Sequence, residues 1–176
     1  MSNKSNNQIT EAINLNEVTS ILLNKGFMLY RPEVDINGVD FLLKTPLGFI
    51  QKCQLKSRVY VEWNRYGGQD IFKVFPGKGD VGNRDWYLIP HDKLFGILKQ
   101  KHGHAPQWNH VKHGEYWHCP VSRDLAEYLT EYSIDNPNIN GYQILRDQDL
   151  TKEMFEIDAK KDKKKLLEVG YSSNCY

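Results

Sequence analysis

Hydrophobic and polar positions change their period several times along the chain, and each change marks an element. From Glu11 to Lys25 the pattern is helical: Ile13, Val18, Ile21 and Leu22 fall near one face, and Gly26 is a natural stop. Residues 1–9 are polar and Asn-rich and read as a frayed, flexible N-terminus. Phe27 to Arg31 predicts a short strand, followed by a turn-rich stretch with Pro32, Asp35, Asn37 and Gly38. Val39–Lys44 and Phe49–Arg58 predict two strands joined through the turn signal Thr45-Pro46-Leu47-Gly48, hence a hairpin. Val59 to Trp63 stays β-rich, Tyr66-Gly67-Gly68 marks a turn, and Ile71–Phe75 is a further strand. Residues 76–85 form a glycine-rich loop, and Trp86–Ile89 is a buried-looking strand ended by Pro90.

The second half is more helical. Asp92–Lys101 predicts a helix with Leu94, Phe95 and Leu98 on its apolar side. Residues 102–119 read as irregular. Ser122 suits an N-cap for a helix from Arg123 to about Tyr132, with Asp124 favourable in its first turn. Tyr142–Leu145 is a candidate last strand, and residues 160–165 are a charge run. Runs of strands followed by helices suggest α+β, or an α/β sheet with helices on its faces, and the reading taken is α/β with a central mixed sheet flanked by helices. At 176 residues the chain reads as one domain over 10–158, with a basic tail over 159–176.

The sharpest chemical pattern is Asp40 with Gln54-Leu55-Lys56. Gln54 and Lys56 stand two apart on a predicted strand, so their side chains share a face. If that strand pairs with the one Asp40 opens, a carboxylate, an amide oxygen and an ammonium converge. Mg²⁺ takes hard oxygen ligands and keeps several waters, so one or two carboxylates suffice to hold it. A lysine beside it can stabilise a phosphoryl transition state or position water. The plain alternative is an amphipathic strand whose Gln54 and Lys56 face solvent.

These residues resemble the PD-(D/E)xK nuclease superfamily, most closely its branch with Gln at the acidic position. The matching stretches are N-E-V-T-S-I-L-L-N-K-G-F, then G-V-D-F-L-L, then G-F-I-Q-K-C-Q-L-K-S-R, together spanning Glu17 to Lys56. The resemblance implies a restriction-endonuclease-like core and a metal-dependent endonuclease that hydrolyses DNA with a metal-activated water. Position by position, Asp40 matches the metal-binding aspartate, Gln54 the variable ligand and Lys56 the lysine. Glu17 matches the helix glutamate, and the Leu55 carbonyl would be a further contact to Mg²⁺ or Mn²⁺. Val39 stands where the family often has Pro, and Gln54 lacks the usual charge. A catalytically inactive module of the same fold, binding nucleic acid or a protein, is therefore the alternative. Glu17 also stands three residues after Asn14, a capping-box spacing, so a helix cap is its alternative reading.

Charge modifies this picture little: 23 basic and 22 acidic residues leave a net charge of +1. Nucleic-acid binding would therefore need a local basic face. Arg58, Arg65, Tyr66, Lys73, Lys78 and Arg84 are the candidate contacts to double-stranded DNA. Cutting two strands favours a homodimer. Five of the six histidines (His102, His104, His110, His113 and His118) precede Cys119, a density that invites zinc. Their spacings match no standard finger, and a long loop with packing aromatics is the preferred reading. Three cysteines and no apolar run of membrane-spanning length predict a cytoplasmic protein without a membrane partner.

Overall fold

The amphipathic stretch near the N-terminus forms helix α1 (Asn3–Asn24), closed by Gly26 in the left-handed region at φ 82°. The computed structural model describes residues 3–33, 37–110 and 114–136, which fall in one compact unit. The Tyr142–Leu145 strand, the basic tail over 159–176 and Cys175 lie outside the described residues. Helix α1 starts well before Glu11, so the reading of residues 1–9 as frayed is corrected from Asn3 onward. Once an apolar stripe is anchored, polar residues propagate a helix at little cost.

Strands β1 (Met28–Tyr30), β2 (Phe41–Lys44) and β3 (Ile50–Leu55) follow, the last two joined by the predicted turn. Thr45 closes that turn, its N–H donating to the Phe49 carbonyl at 2.8 Å. Then come β4 (Val59–Glu62), the short helix α2 (Trp63–Tyr66), β5 (Ile71–Pro76), β6 (Trp86–Pro90) and helix α3 (His91–His102). The chain ends its described part with β7 (Asn109–His110), β8 (Gly114–Cys119) and helix α4 (Arg123–Leu129), the latter capped by Ser122 as expected.

The central sheet runs β1-β2-β3-β5-β6, antiparallel throughout except for the parallel pair β3 and β5. It is a mixed sheet with helices on both faces, the α/β architecture of the two that the element order allows. Strand β4 departs from a simple meander. It leaves the sheet after the Ser57–Arg58 bend and joins β8 and β7 in a three-stranded sheet of its own. The segment 102–119, expected to be irregular, thus supplies two strands. Its His and aromatic side chains hid an alternation whose partner, β4, is over fifty residues away.

Two apolar layers enclose the central sheet. On one side Val18 and Leu22 of α1 pack on Phe41, Leu43, Cys53, Phe72 and Val74. On the other, Leu94, Phe95 and Leu98 of α3 and Leu125 of α4 pack on Phe75, Tyr87 and Ile89. Strand β5 is buried along its whole length, as a strand covered on both faces must be. Its one polar member, Lys73, is also buried. His91 ties the smaller sheet to α3: its Nε2 accepts from Glu62 N–H at 3.2 Å, and its Nδ1 lies 2.8 Å from Asp92 Oδ1. Those partners select the neutral Nδ1–H tautomer, in keeping with burial, which pushes the imidazole pKa down.

Phe72 lies on β5 under α1 with no exposed surface. Phe72→Ala is expected to cost about 3–5 kcal/mol through lost burial and the cavity left behind. Urea unfolding checks this as a lower midpoint at unchanged slope.

Candidate functional site

Asp40 precedes β2 and is held to β3 by two bonds. Its N–H donates to the Cys53 carbonyl at 2.9 Å, and its Oδ2 accepts from Leu55 N–H at 2.7 Å. The antiparallel register that places Phe41 opposite Cys53 makes both bonds possible. The carboxylate stays exposed, aimed at the end of β3 where Lys56 leaves the sheet. Asp40, Leu55, Lys56, Ser57 and Arg58 line one side of a pocket of about 360 Å³. Helix α1 closes the other side with Asn7, Thr10, Glu11 and Asn14, a stripe at helical spacing. Asp40 and Lys56 therefore converge as the hairpin predicted, and the carboxylate opposite them is Glu11.

Glu17 sits elsewhere, outside the pocket that Glu11 lines, and its carboxylate is engaged by other partners. It lies six residues beyond Glu11, about 9 Å further along the helix axis. Gly82 N–H donates to its Oε1 at 2.9 Å, and Arg84 Nη2 reaches Oε2 at 2.5 Å and Asn14 Oδ1 at 2.7 Å. Burial works to raise the Glu17 pKa, but the bonds from Arg84 and Gly82 outweigh it and hold the carboxyl below its usual value. The same ion pair removes Arg84 from the candidate nucleic-acid contacts. The glycine-rich loop has folded onto α1, and Arg84 is spent in holding it there.

Gln54 also turns inward rather than into the pocket, because β3 ends at Leu55 and the alternation linking it to Lys56 stops. Its side chain is 2% exposed. The amide nitrogen donates to the Gly38 carbonyl and to the Tyr66 hydroxyl, each at 2.8 Å, and the amide oxygen accepts from Lys73. The amide that sequence placed on a metal thus works as a strut between β3, β5, α2 and the Asp40 loop. Gly38 has φ 77°, and a Cβ there would lie 2.9 Å from the Gln54 amide nitrogen, so only glycine admits the strut.

Lys73 and Tyr66, both predicted to touch nucleic acid, belong to this buried cluster instead. The Lys73 ammonium lies 3.3 Å from the Tyr66 ring centroid and 5.8 Å from that of Tyr60. Burial first, then the charges of Lys56 and Arg65, push the Lys73 pKa down to about 6; Asp40 and Glu62 pull the other way. Burial likewise raises the Tyr66 pKa. A lysine in an otherwise apolar run was the sequence signal for this core, since central strands rarely carry an unpaired charge.

Of the remaining candidates, Arg58, Arg65 and Lys78 are exposed. Arg65 stacks its guanidinium 5.1 Å from the Tyr66 ring centroid. In the histidine segment, His102 stacks on Trp117 at 4.8 Å and 8°, and His118 packs near Tyr116. Among the described residues no three His, Cys, Asp or Glu gather as metal ligands would. His113 lies outside the described residues. Among the described residues, no helix is long and apolar enough to cross a membrane.

No protein-family model matches the chain, and no curated protein matches it. Among solved structures, a chain described as a bacterial homing endonuclease, I-Ssp6803I, is similar at 16% identity and a TM-score of 0.46. The likeness covers 84% of this chain and 96% of that one.

The depressed Lys73 pKa has a consequence for stability. Between about pH 6 and the ordinary lysine range the unfolded chain carries a proton on Lys73 that the folded chain lacks. Stability is therefore expected to rise with pH across that window, by up to about 1.4 kcal/mol per unit from this group. Lys73→Met should remove that contribution to the slope, read by urea midpoints of both proteins from pH 6 upward.

Proposed function

We propose that this protein is a metal-dependent nuclease of the PD-(D/E)xK type, hydrolysing phosphodiester bonds of DNA. The observation that supports it is the convergence of Asp40, Glu11 and Lys56 on one pocket, with Arg58 at its edge. In this reading Glu11 takes the helix-glutamate role that the resemblance assigned to Glu17. The donor chemistry fits Mg²⁺ or Mn²⁺: two exposed carboxylates from α1 and the start of β2 face the same space. Leu55 lines the same space, and its carbonyl is the natural third oxygen.

When bound, the ion supplies charge neutralisation at the phosphate and a water acidified for attack. The chain's own groups do the rest. Asp40 is pinned by the Leu55 N–H, so its carboxylate is pre-set and needs no reorganisation as charge develops. Lys56, at the pocket rim, donates to a non-bridging phosphate oxygen or orients the attacking water. Arg58 contacts the adjoining phosphate. Gln54 keeps Gly38, and so the Asp40 loop, in register with β3. Double-strand cutting would pair two copies of the chain, each offering one such pocket.

A second reading, a nucleic-acid-binding module that does not cut, draws on the neutrality and burial of Gln54, which leaves two carboxylates in the donor set. One assay separates the two.

Supercoiled plasmid is expected to be nicked and linearised with Mg²⁺ or Mn²⁺ and left intact in EDTA. Asp40→Asn, Glu11→Gln and Lys56→Ala should each lower the rate by about a hundredfold or more. Glu17→Gln should keep cutting while losing about 1–3 kcal/mol of stability through its bonds to Arg84 and Gly82. Cutting that survives Glu11→Gln but not Glu17→Gln would overturn this assignment, and binding without any cutting would establish the module.

A further inference from the structure

Beside the candidate pocket lies a larger groove of about 790 Å³, and Ser57 and Arg58 line both. The two spaces therefore share a wall at the bend between β3 and β4. The groove is framed by three separate pieces of chain: Arg58 from that bend, Lys78 from the loop after β5, and Arg123 at the start of α4. All three side chains are exposed. Among the described residues none of the three makes an ion pair, whereas Arg84, Lys25 and Lys99 each do. One acidic residue, Asp85, lines the same space.

Three cations against one carboxylate on a concave surface focus a positive potential that draws an anion. The hydroxyls of Ser57 and Ser122 line the groove as well and add donors without charge. Three cations from three pieces of chain around a groove of about 790 Å³ match a run of phosphates better than one small anion. The shared wall at Arg58 makes that run continuous with the phosphate that the nuclease reading places beside Asp40 and Lys56.

We propose that this groove binds the nucleic-acid backbone flanking the reactive phosphate, with Lys78 and Arg123 as phosphate-binding residues and Arg58 as the hinge between the two spaces. The proposal rests on the nuclease reading and names where its substrate strand runs. It adds Arg123 and the α4 start, which no feature of the sequence pointed to, and it separates Lys78 from Lys73 and Arg84, whose charges are used inside the protein.

The test is equilibrium binding of a labelled DNA duplex in EDTA, followed by fluorescence anisotropy across a salt series, for the full chain. Lys78→Gln and Arg123→Gln together should weaken binding about tenfold or more and lower the salt slope by about two. Lys93→Gln, on the exposed side of α3, should change neither. Far-ultraviolet circular dichroism and an unchanged thermal midpoint confirm that the variants are folded. A double variant that binds like wild type, with the same slope, overturns the groove. Wild-type binding without metal-dependent plasmid cutting sinks catalysis but leaves the groove to be judged by the double variant. Cutting that the double variant retains at wild-type KM leaves the nuclease standing and overturns the groove. A wild-type chain that binds no DNA overturns both.

Discussion

The parallel step between β3 and β5 is locked by a buried amide and a buried amine. Gln54 accepts from Lys73 and donates to both the Gly38 carbonyl and the Tyr66 hydroxyl, so one side chain joins four pieces of backbone. Each of these groups would be costly to bury alone, and together they satisfy one another. The candidate site hangs from this junction. Gly38 is two residues from Asp40, and Asp40 is in turn bonded to β3 through the Leu55 and Cys53 main chain. Main-chain bonds at both the N–H and the Oδ2 of Asp40 fix its carboxylate against β3.

The same junction explains why two lysines with similar sequence surroundings behave differently. Lys56 follows the last residue of β3 and stands at the pocket rim. Lys73 lies mid-strand on β5, under Tyr66, with no exposed surface. Position on the strand, and not residue type, decides which amine meets solvent and which is desolvated. With its pKa pushed down to about 6, the Lys73 amine under these rings is neutral above that pH and needs no counter-charge. Among the described residues, basic side chains thus serve as an internal strut in Lys73, as a clamp in Arg84, and as an exposed set around Arg58.

Much of the central sheet could be read from the sequence because its signals are local. The Thr45–Gly48 turn, the alternation in β2 and β3, the apolar run of β5 and the Ser122 cap each involve neighbours within a few residues. Asp40 and Lys56 came together for the same reason, since a tight hairpin leaves little choice of register. The smaller sheet was not legible. Strand β8 pairs with β4 across a separation that no window on the sequence spans, and its His-rich composition carries no strand signature.

The sequence by itself determined the order of elements in the central sheet, the hairpin that carries Asp40 towards Lys56, and the residue types at hand there. Tertiary structure decided which glutamate faces them. Glu11 and Glu17 lie on adjoining parts of α1 and on different sides of it, and the seating of that helix over the sheet selects Glu11 for the pocket and Glu17 for Arg84. That position is set by Val18 and Leu22 seating in the layer of Phe41, Leu43 and Phe72. Hydrophobic burial is non-directional, so the pattern along the helix names the buried face but not the offset at which it docks. The offset emerges when side chains from distant segments close-pack, and that is information no single stretch of sequence contains.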